Sequence, residues 1–148
     1  MALAKVFNYS GIRALLGSGT GTITYSAPCG FTERSLTLSK SLGEINIPDC
    51  SNEDVASWVG RDVISKSATL SGSGVLDADA LAVWQAAFTT SDASIPARLE
   101  LHRAGAKVGH FEGNFHVESL EIGGSQGQKA SISVTLQSDG EVKWVAGT

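Results

Sequence analysis

Between Ala130 and Leu136 the chain alternates without a break. Ala130, Ile132, Val134 and Leu136 are apolar, and Ser131, Ser133, Thr135 and Gln137 between them are polar. A period of two is the signature of a strand with one buried and one wet face. A seven-residue run of it excludes a helix and requires a sheet. Asp139-Gly140 then marks a turn, and Glu141–Val145 reads as a short closing strand that carries Val142 or Trp144 inward.

The preceding segment, Lys107–Ile122, has the same period with one fault. Phe111, Gly113, Phe115 and Val117 share a face, whereas Leu120 and Ile122 have the opposite parity. One buried side requires an added residue, so a β-bulge is expected near Glu118-Ser119. Gly123-Gly124-Ser125-Gln126-Gly127 joins the two strands into a hairpin over about 107–138. Ile95–Arg103, with Leu99 and Leu101 on one face, is a further strand. So is Ser65–Val75, with Ala68 and Leu70 on one side and Ser65, Ser67, Thr69 and Ser71 on the other. Thr22–Ser26 and Arg34–Lys40 alternate in the same way.

One helix interrupts the strands. Asp77 is a suitable N-cap, and alanines 78, 80, 82, 86 and 87 favour helix over about 77–89. Leu81, Trp84 and Phe88 recur at helical spacing, which predicts that Trp84 and Phe88 pack on the sheet. Ser41–Gly60 shows no alternation. It reads as a long polar loop over about 41–60 in which Ile45, Ile47, Val55 and Trp58 punctuate Glu44, Asp49, Glu53 and Asp54. Connections of that length are uncommon without a task. A partly buried Trp58 is either an interface anchor or a cap on the chain's own core. Arg61 and Asp62 are candidates to pair across a subunit boundary.

The 148 residues suffice for one domain over 1–148, with an N-terminal arm over about 1–20. The apolar fraction is 42% and the charged fraction 18%, a low charge that suits a surface partly covered by something else. The net charge is −4 and the basic residues are scattered, which argues against tight nucleic-acid binding. Cys29 and Cys50 have no metal or redox spacing and read as free thiols, with a single bridge between them as the alternative. Met1–Leu16 lacks a signal-peptide core, and no stretch approaches the length of a membrane-spanning helix; synthesis and use in the cytosol, or export by a route without a cleaved signal, is expected.

Chemistry-bearing motifs are missing. His110 and His116 would stand about 20 Å apart on one strand, too far to share a metal. The Gly17–Thr22 run lacks the lysine and following helix of a phosphate loop. No GxSxG elbow or SxxK pair occurs, and Asp77/Asp79 suit a helix start. No catalytic residue, metal or cofactor is expected.

The segment Gly109–Gly140, GHFEGNFHVESLEIGGSQGQKASISVTLQSDG, resembles the end of the tail tube (major tail) proteins of long-tailed phages and gene transfer agents. Those chains carry a G-x-F-x-V-x-S-L-E-I/L-G strand, a glycine turn and an F/I-S-V-x-L-x-S-x-G strand. Ser65–Val75 resembles the family's S-x-S-G-S-G strand before the helix. The resemblance covers about residues 30–145. The family's G-W/R-x-E segment reads here Trp58-Val59-Gly60-Arg61-Asp62. The resemblance implies a mainly β fold: an antiparallel β-sandwich or barrel with one flanking α-helix and a long protruding loop, as in type VI secretion tubes. It implies hexameric rings stacked into a virion tail tube, assembled in the host cytoplasm, with DNA passing transiently. Tape measure and tail terminator or tip proteins are implied as partners, and no membrane.

On that reading Ile45, Ile47, Asp49, Glu53, Asp54, Trp58, Arg61 and Asp62 are candidates for contact between subunits or rings. Ser65, Ser67, Thr69, Ser71, Ser131, Ser133 and Thr135 form either a lumen wall or an ordinary solvated sheet face. Six subunits at −4 each suit a conduit that repels phosphate. Three other readings compete. A type VI-like or contractile-injection tube differs in its gene neighbours. A stand-alone β-sandwich binding module needs an exposed aromatic platform. A small hydrolase needs turnover that one substitution abolishes.

Overall fold

The computed structural model describes residues 2–18, 23–89 and 94–147. Eight antiparallel strands form one sheet: β1 (Ile12–Ser18), β2 (Thr24–Ser26), β3 (Phe31–Ile47), β4 (Trp58–Val75), β5 (Ile95–Arg103), β6 (Ala106–Gly123), β7 (Ser131–Ser138) and β8 (Lys143–Ala146). Their order is β2-β1-β5-β6-β7-β4-β3, with β8 paired to β6 beyond the end of β7. One helix, α1 (Ala78–Thr89), connects β4 to β5.

The alternating residues make the core. Ile132, Val134 and Leu136 of β7 lie beside Ala68 and Leu70 of β4 and Phe115 of β6, all buried. Each large apolar side chain contributes about 2–3 kcal/mol when buried. The sheet bends around this core until β3, at one end, reaches β1, next to the other. The Arg34 guanidinium on β3 donates to the Ile12 carbonyl on β1 (2.5 Å) and lies over the Tyr9 ring, 4.9 Å from its centre. The Tyr9 hydroxyl donates to the Phe31 carbonyl. This clasp gives an antiparallel, barrel-like sheet with one flanking helix.

The pairing of β6 with β7 shifts register between Val117 and Ser119, at the place where the apolar parity changes. The Ala80 N–H donates to the Asp77 carboxylate (3.0 Å), the N-cap that α1 requires. Trp84 is 3% exposed and meets Phe31 edge-on, with ring centres 5.7 Å apart. Phe88 departs from expectation: it is exposed, and Ala80 is the buried companion of Trp84. Helix α1 lies on the sheet by its first two turns, and Phe88 falls on the third. On the closing strand, Trp144 packs against Phe111 at 4.8 Å but keeps much of its surface in water. Part of the glycine-rich run, residues 19–22, lies outside the described residues, as does the start of the Thr22–Ser26 segment.

The largest difference from the sequence reading is at Ser41–Gly60. β3 continues through Ile47 and β4 begins at Trp58, so only residues 48–57 connect them. The two strands pair from Phe31↔Gly74 to Ile47↔Trp58. Neither face of the outer half is buried, so no single parity of apolar residues betrays the strands there. Apolar residues sit on both parities instead.

Candidate assembly surfaces

The β3–β4 hairpin leaves the body. β4 pairs with β7 only over Thr69–Val75, and the Ala68 N–H ends the attachment with a bond to the Ser138 hydroxyl (2.9 Å). Trp58–Ser67 have β3 as their sole strand partner among the described residues. Ten residues of strand make a ribbon about 30 Å long. An isolated two-stranded ribbon is marginal in water. This one exposes Ile45, Ile47, Trp58, Val63 and Ile64, with Trp58 86% and Ile64 70% accessible.

Register assigns these residues to faces. Facing partners in an antiparallel pair lie on one side, and a shift between Ser41 and Leu42 moves β4 by one residue. One face carries Leu38, Lys40, Leu42 and Glu44, opposite Ala68, Lys66, Val63 and Arg61. The other carries Ile45 and Ile47 opposite Gly60 and Trp58. A Cβ on Gly60 would lie 2.6 Å from the Ile47 side chain, and one on Gly43 would lie 3.1 Å from that of Ile64. The two glycines leave room for those isoleucines to lie across the ribbon. Arg61 pairs with Glu44 of the same hairpin at 3.3 Å, and Asp62 faces Gly43. The adjacent Arg61 and Asp62 therefore lie on opposite faces.

Asp49, Glu53 and Asp54 lie in the exposed tip. The Asp49 carboxylate accepts from the Ser51 N–H (2.8 Å) and the Asn52 side chain from the Asp54 N–H (3.2 Å), side-chain turns that shape the connection.

Toward the body, the face that bears Ile45 and Trp58 becomes a field of hydroxyls. Ser65, Ser67, Thr69 and Ser71 face Ser41, Ser39, Thr37 and Ser35. Ser71 and Ser73 in turn face Thr135 and Ser133 on β7, and Val75 faces Ser131. Ser35–Ser71 and Ser39–Ser67 hydrogen bonds cross the strands at 2.5 and 2.8 Å. Beyond β7 the row reaches Ser119 and Glu121 of β6. The Gln137 amide donates to the Glu118 carboxylate (2.7 Å), and the Ser73 hydroxyl to that of Glu33 (3.4 Å). Among the described residues, the part of this face from β3 across β4 and β7 to the Glu118–Gly123 end of β6 holds three glutamates and no Lys or Arg. The reverse side is the core. Lys40, Arg61 and Lys66 all project from the opposite face of the ribbon.

The remaining charges form a network on the other half of the sheet. Glu100 accepts from Lys107 (2.9 Å) and His102 (3.2 Å), and Arg98 bridges Glu100 and Glu112 at 3.7 and 3.4 Å. Burial acts to raise the Glu100 carboxyl, but the bonds from Lys107 and His102 outweigh it and hold the group below the ordinary carboxylate range. His110, 6% exposed, lies 3.2 Å from Glu112, and His116 the same distance from Asp139. Every histidine thus has a carboxylate beside it. Among the described residues no group of three or more His, Cys, Asp or Glu could hold a metal ion. Cys29 and Cys50 are free and exposed, flanking opposite ends of β3.

A family model for the phage tail tube protein matches residues 11–143. The chain belongs to the phage tail tube protein family. It is a structural subunit of a tail tube, and so a component of the virion tail. The fold is shared with solved tail structures. One is the tail of an empty gene transfer agent particle, solved by helical refinement with C6 symmetry: 19% identity, TM-score 0.76, covering 95% of this chain and 100% of that one. The SPP1 tail tube matches at 16% identity and TM-score 0.62, over 97% and 80% of the two chains. A chain of the anti-feeding prophage baseplate matches at 12% and TM-score 0.55, over 99% and 98%. No curated protein matches the chain.

Leu38, Leu42, Val63, Ile64, Lys40 and Lys66 are ribbon residues that sequence reasoning passed over. The available signal was the serine alternation of Ser65–Ser73, which continues in Ser35–Ser41 across the hairpin.

Proposed function

We propose that this tail tube protein assembles into hexameric rings that stack into a hollow conduit for DNA, with the hydroxyl face of β3, β4, β7 and β6 toward the lumen. The observation that carries this is the sorting of charge. The hydroxyl face bears glutamates and no Lys or Arg, and the ribbon's cations project from its other side. A wall of hydroxyls and carboxylates repels phosphate and lets it slide, whereas rows of cations would hold it. The C6 symmetry of the gene transfer agent tail supports six subunits per ring. The ribbon, with Ile45, Ile47 and Trp58 exposed, is the arm that neighbouring subunits cover. Tape measure and terminator or tip proteins meet the tube at its interior and ends. Assembly takes place in the host cytoplasm, DNA passes without tight binding, and the subunit performs no catalysis.

Negative-stain microscopy of the concentrated protein tests the proposal. Hollow tubes with six subunits per turn of the ring are expected; monomers at every concentration overturn it. Lysines in place of Ser71 and Thr135 test the lumen: tubes should still grow, but should retain short duplex DNA in a salt-dependent way. Unchanged DNA passage would move the lumen to another face. The likeness to the anti-feeding prophage baseplate favours a second setting, a contractile injection particle. Sheath and ATPase genes beside this one would select it.

A further inference from the structure

A cleft of about 830 Å³ opens where the ribbon parts from the body. Leu38, Lys40, Val63 and Lys66 line its ribbon side, and Glu141 and Val142 line the other. Lys40 and Lys66 are direct cross-strand partners. Like charges in that position repel, and neither lysine has an ion-pair partner among the described residues. Glu141, the one acid in the lining, reaches neither. The site therefore has apolar walls, a repelling cation pair and a row of β4 backbone groups, Trp58–Ser67, with no strand on their inner side.

The same chain carries a segment of matching chemistry. Residues 48–57 at the ribbon tip hold Asp49, Glu53 and Asp54, the exposed Val55, and no cation. Within one molecule the two cannot meet, because the strand from Trp58 to Lys66 separates them by about 25 Å. Two complementary patches at different places on one surface join copies head to tail, the arrangement that builds rings and filaments. The other extended apolar segment, residues 2–8, carries Lys5 and no acid, the wrong sign for this cleft.

We propose that the acidic tip of one subunit's β3–β4 ribbon docks in the Lys40/Lys66 cleft of an adjacent subunit. This rests on the tail tube reading and names the surface that receives the arm. Val55 meets Leu38, Val63 and Val142, and the tip carboxylates neutralise the lysine pair.

Thiol crosslinking tests it. In a Cys29→Ser background Cys50 is the sole native thiol, at the tip itself. With Glu141→Cys added on the facing wall of the cleft, which leaves both lysines in place, and the subunits assembled, diamide should oxidise the two thiols to an intermolecular disulfide, and a ladder of multimers should appear on non-reducing gels. Cys29→Ser alone should give none. Tubes that form with no ladder overturn the proposal and leave the cleft to another occupant. Charge exchange provides an independent check. Asp49→Lys/Glu53→Lys and Lys40→Glu/Lys66→Glu should each slow tube growth at least tenfold while circular dichroism stays unchanged. The four substitutions combined should restore it. Growth at the normal rate in either pair, or no recovery in the combination, counts equally against it. If the unaltered protein never forms tubes, the tail tube reading fails first.

Discussion

Arg34 of β3 donates to the carbonyl of Ile12 on β1, and so ties the last strand of the sheet order to the one next to its other end. The guanidinium also covers Tyr9, whose hydroxyl reaches the Phe31 carbonyl. One cation and one phenol thus hold the bent sheet around its core.

Removing this clasp should loosen the body without touching the ribbon. Arg34→Met is expected to cost about 1.5–3 kcal/mol, the usual loss for a charged hydrogen bond, and Tyr9→Phe about 1 kcal/mol. Urea denaturation measures both. Because the two residues share one contact, the double variant should lose less than the sum.

Trp58 offers the opposite case. It is 86% exposed in the free subunit, so Trp58→Ala should leave the urea midpoint within about 0.5 kcal/mol of the original. Tube formation, followed by sedimentation, should fail. A subunit destabilised by this change would place the indole in its own core instead.

Glu100 predicts a response to acid. Its carboxyl is held below the ordinary range, so the folded state binds that proton less readily than the unfolded chain. The stabilisation is fully present above the unfolded value, about 4.3, and is lost as pH falls through the lower folded value. Stability should therefore decline below about pH 4. Glu100→Gln should flatten that part of the profile and lower stability at pH 7, as read from thermal melts across pH.

Gly74 lies where the backbone of β3 closes on β4. An added Cβ would lie 2.2 Å from the Gly30 carbonyl oxygen, 2.6 Å from the Thr32 nitrogen and 2.7 Å from the Phe31 Cα. All three are backbone atoms and cannot swing aside. Gly74→Ala should cost at least about 1–3 kcal/mol. Gly105→Ala, with open space but a φ of 80°, should cost about 1–2 kcal/mol through backbone strain alone. A comparison of their unfolding midpoints checks the order.

Where one side of a strand is buried, the amino-acid order alone was enough. The alternation of Ile132, Val134 and Leu136 specified β7, the parity change after Val117 located the bulge, and Asp77 with the following alanines marked the helix. Each of these signals is local, written in the contrast between a core face and a wet face. The hydroxyl rows of Ser65–Ser71 and Ser131–Thr135 could be read as one face of each strand for the same reason. Their union into a single surface could not, because β4 and β7 are neighbours only through long-range pairing. The ribbon was the harder case. Over Leu42–Ile47 and Trp58–Ile64 both faces are exposed in the free subunit, so apolar residues fall on both parities and the period of two disappears. Only the tertiary pairing of β3 with β4 places Ile47 beside Trp58 and Lys40 opposite Lys66. Local order decides where a chain has an inside; the fold decides which of its outer surfaces come together.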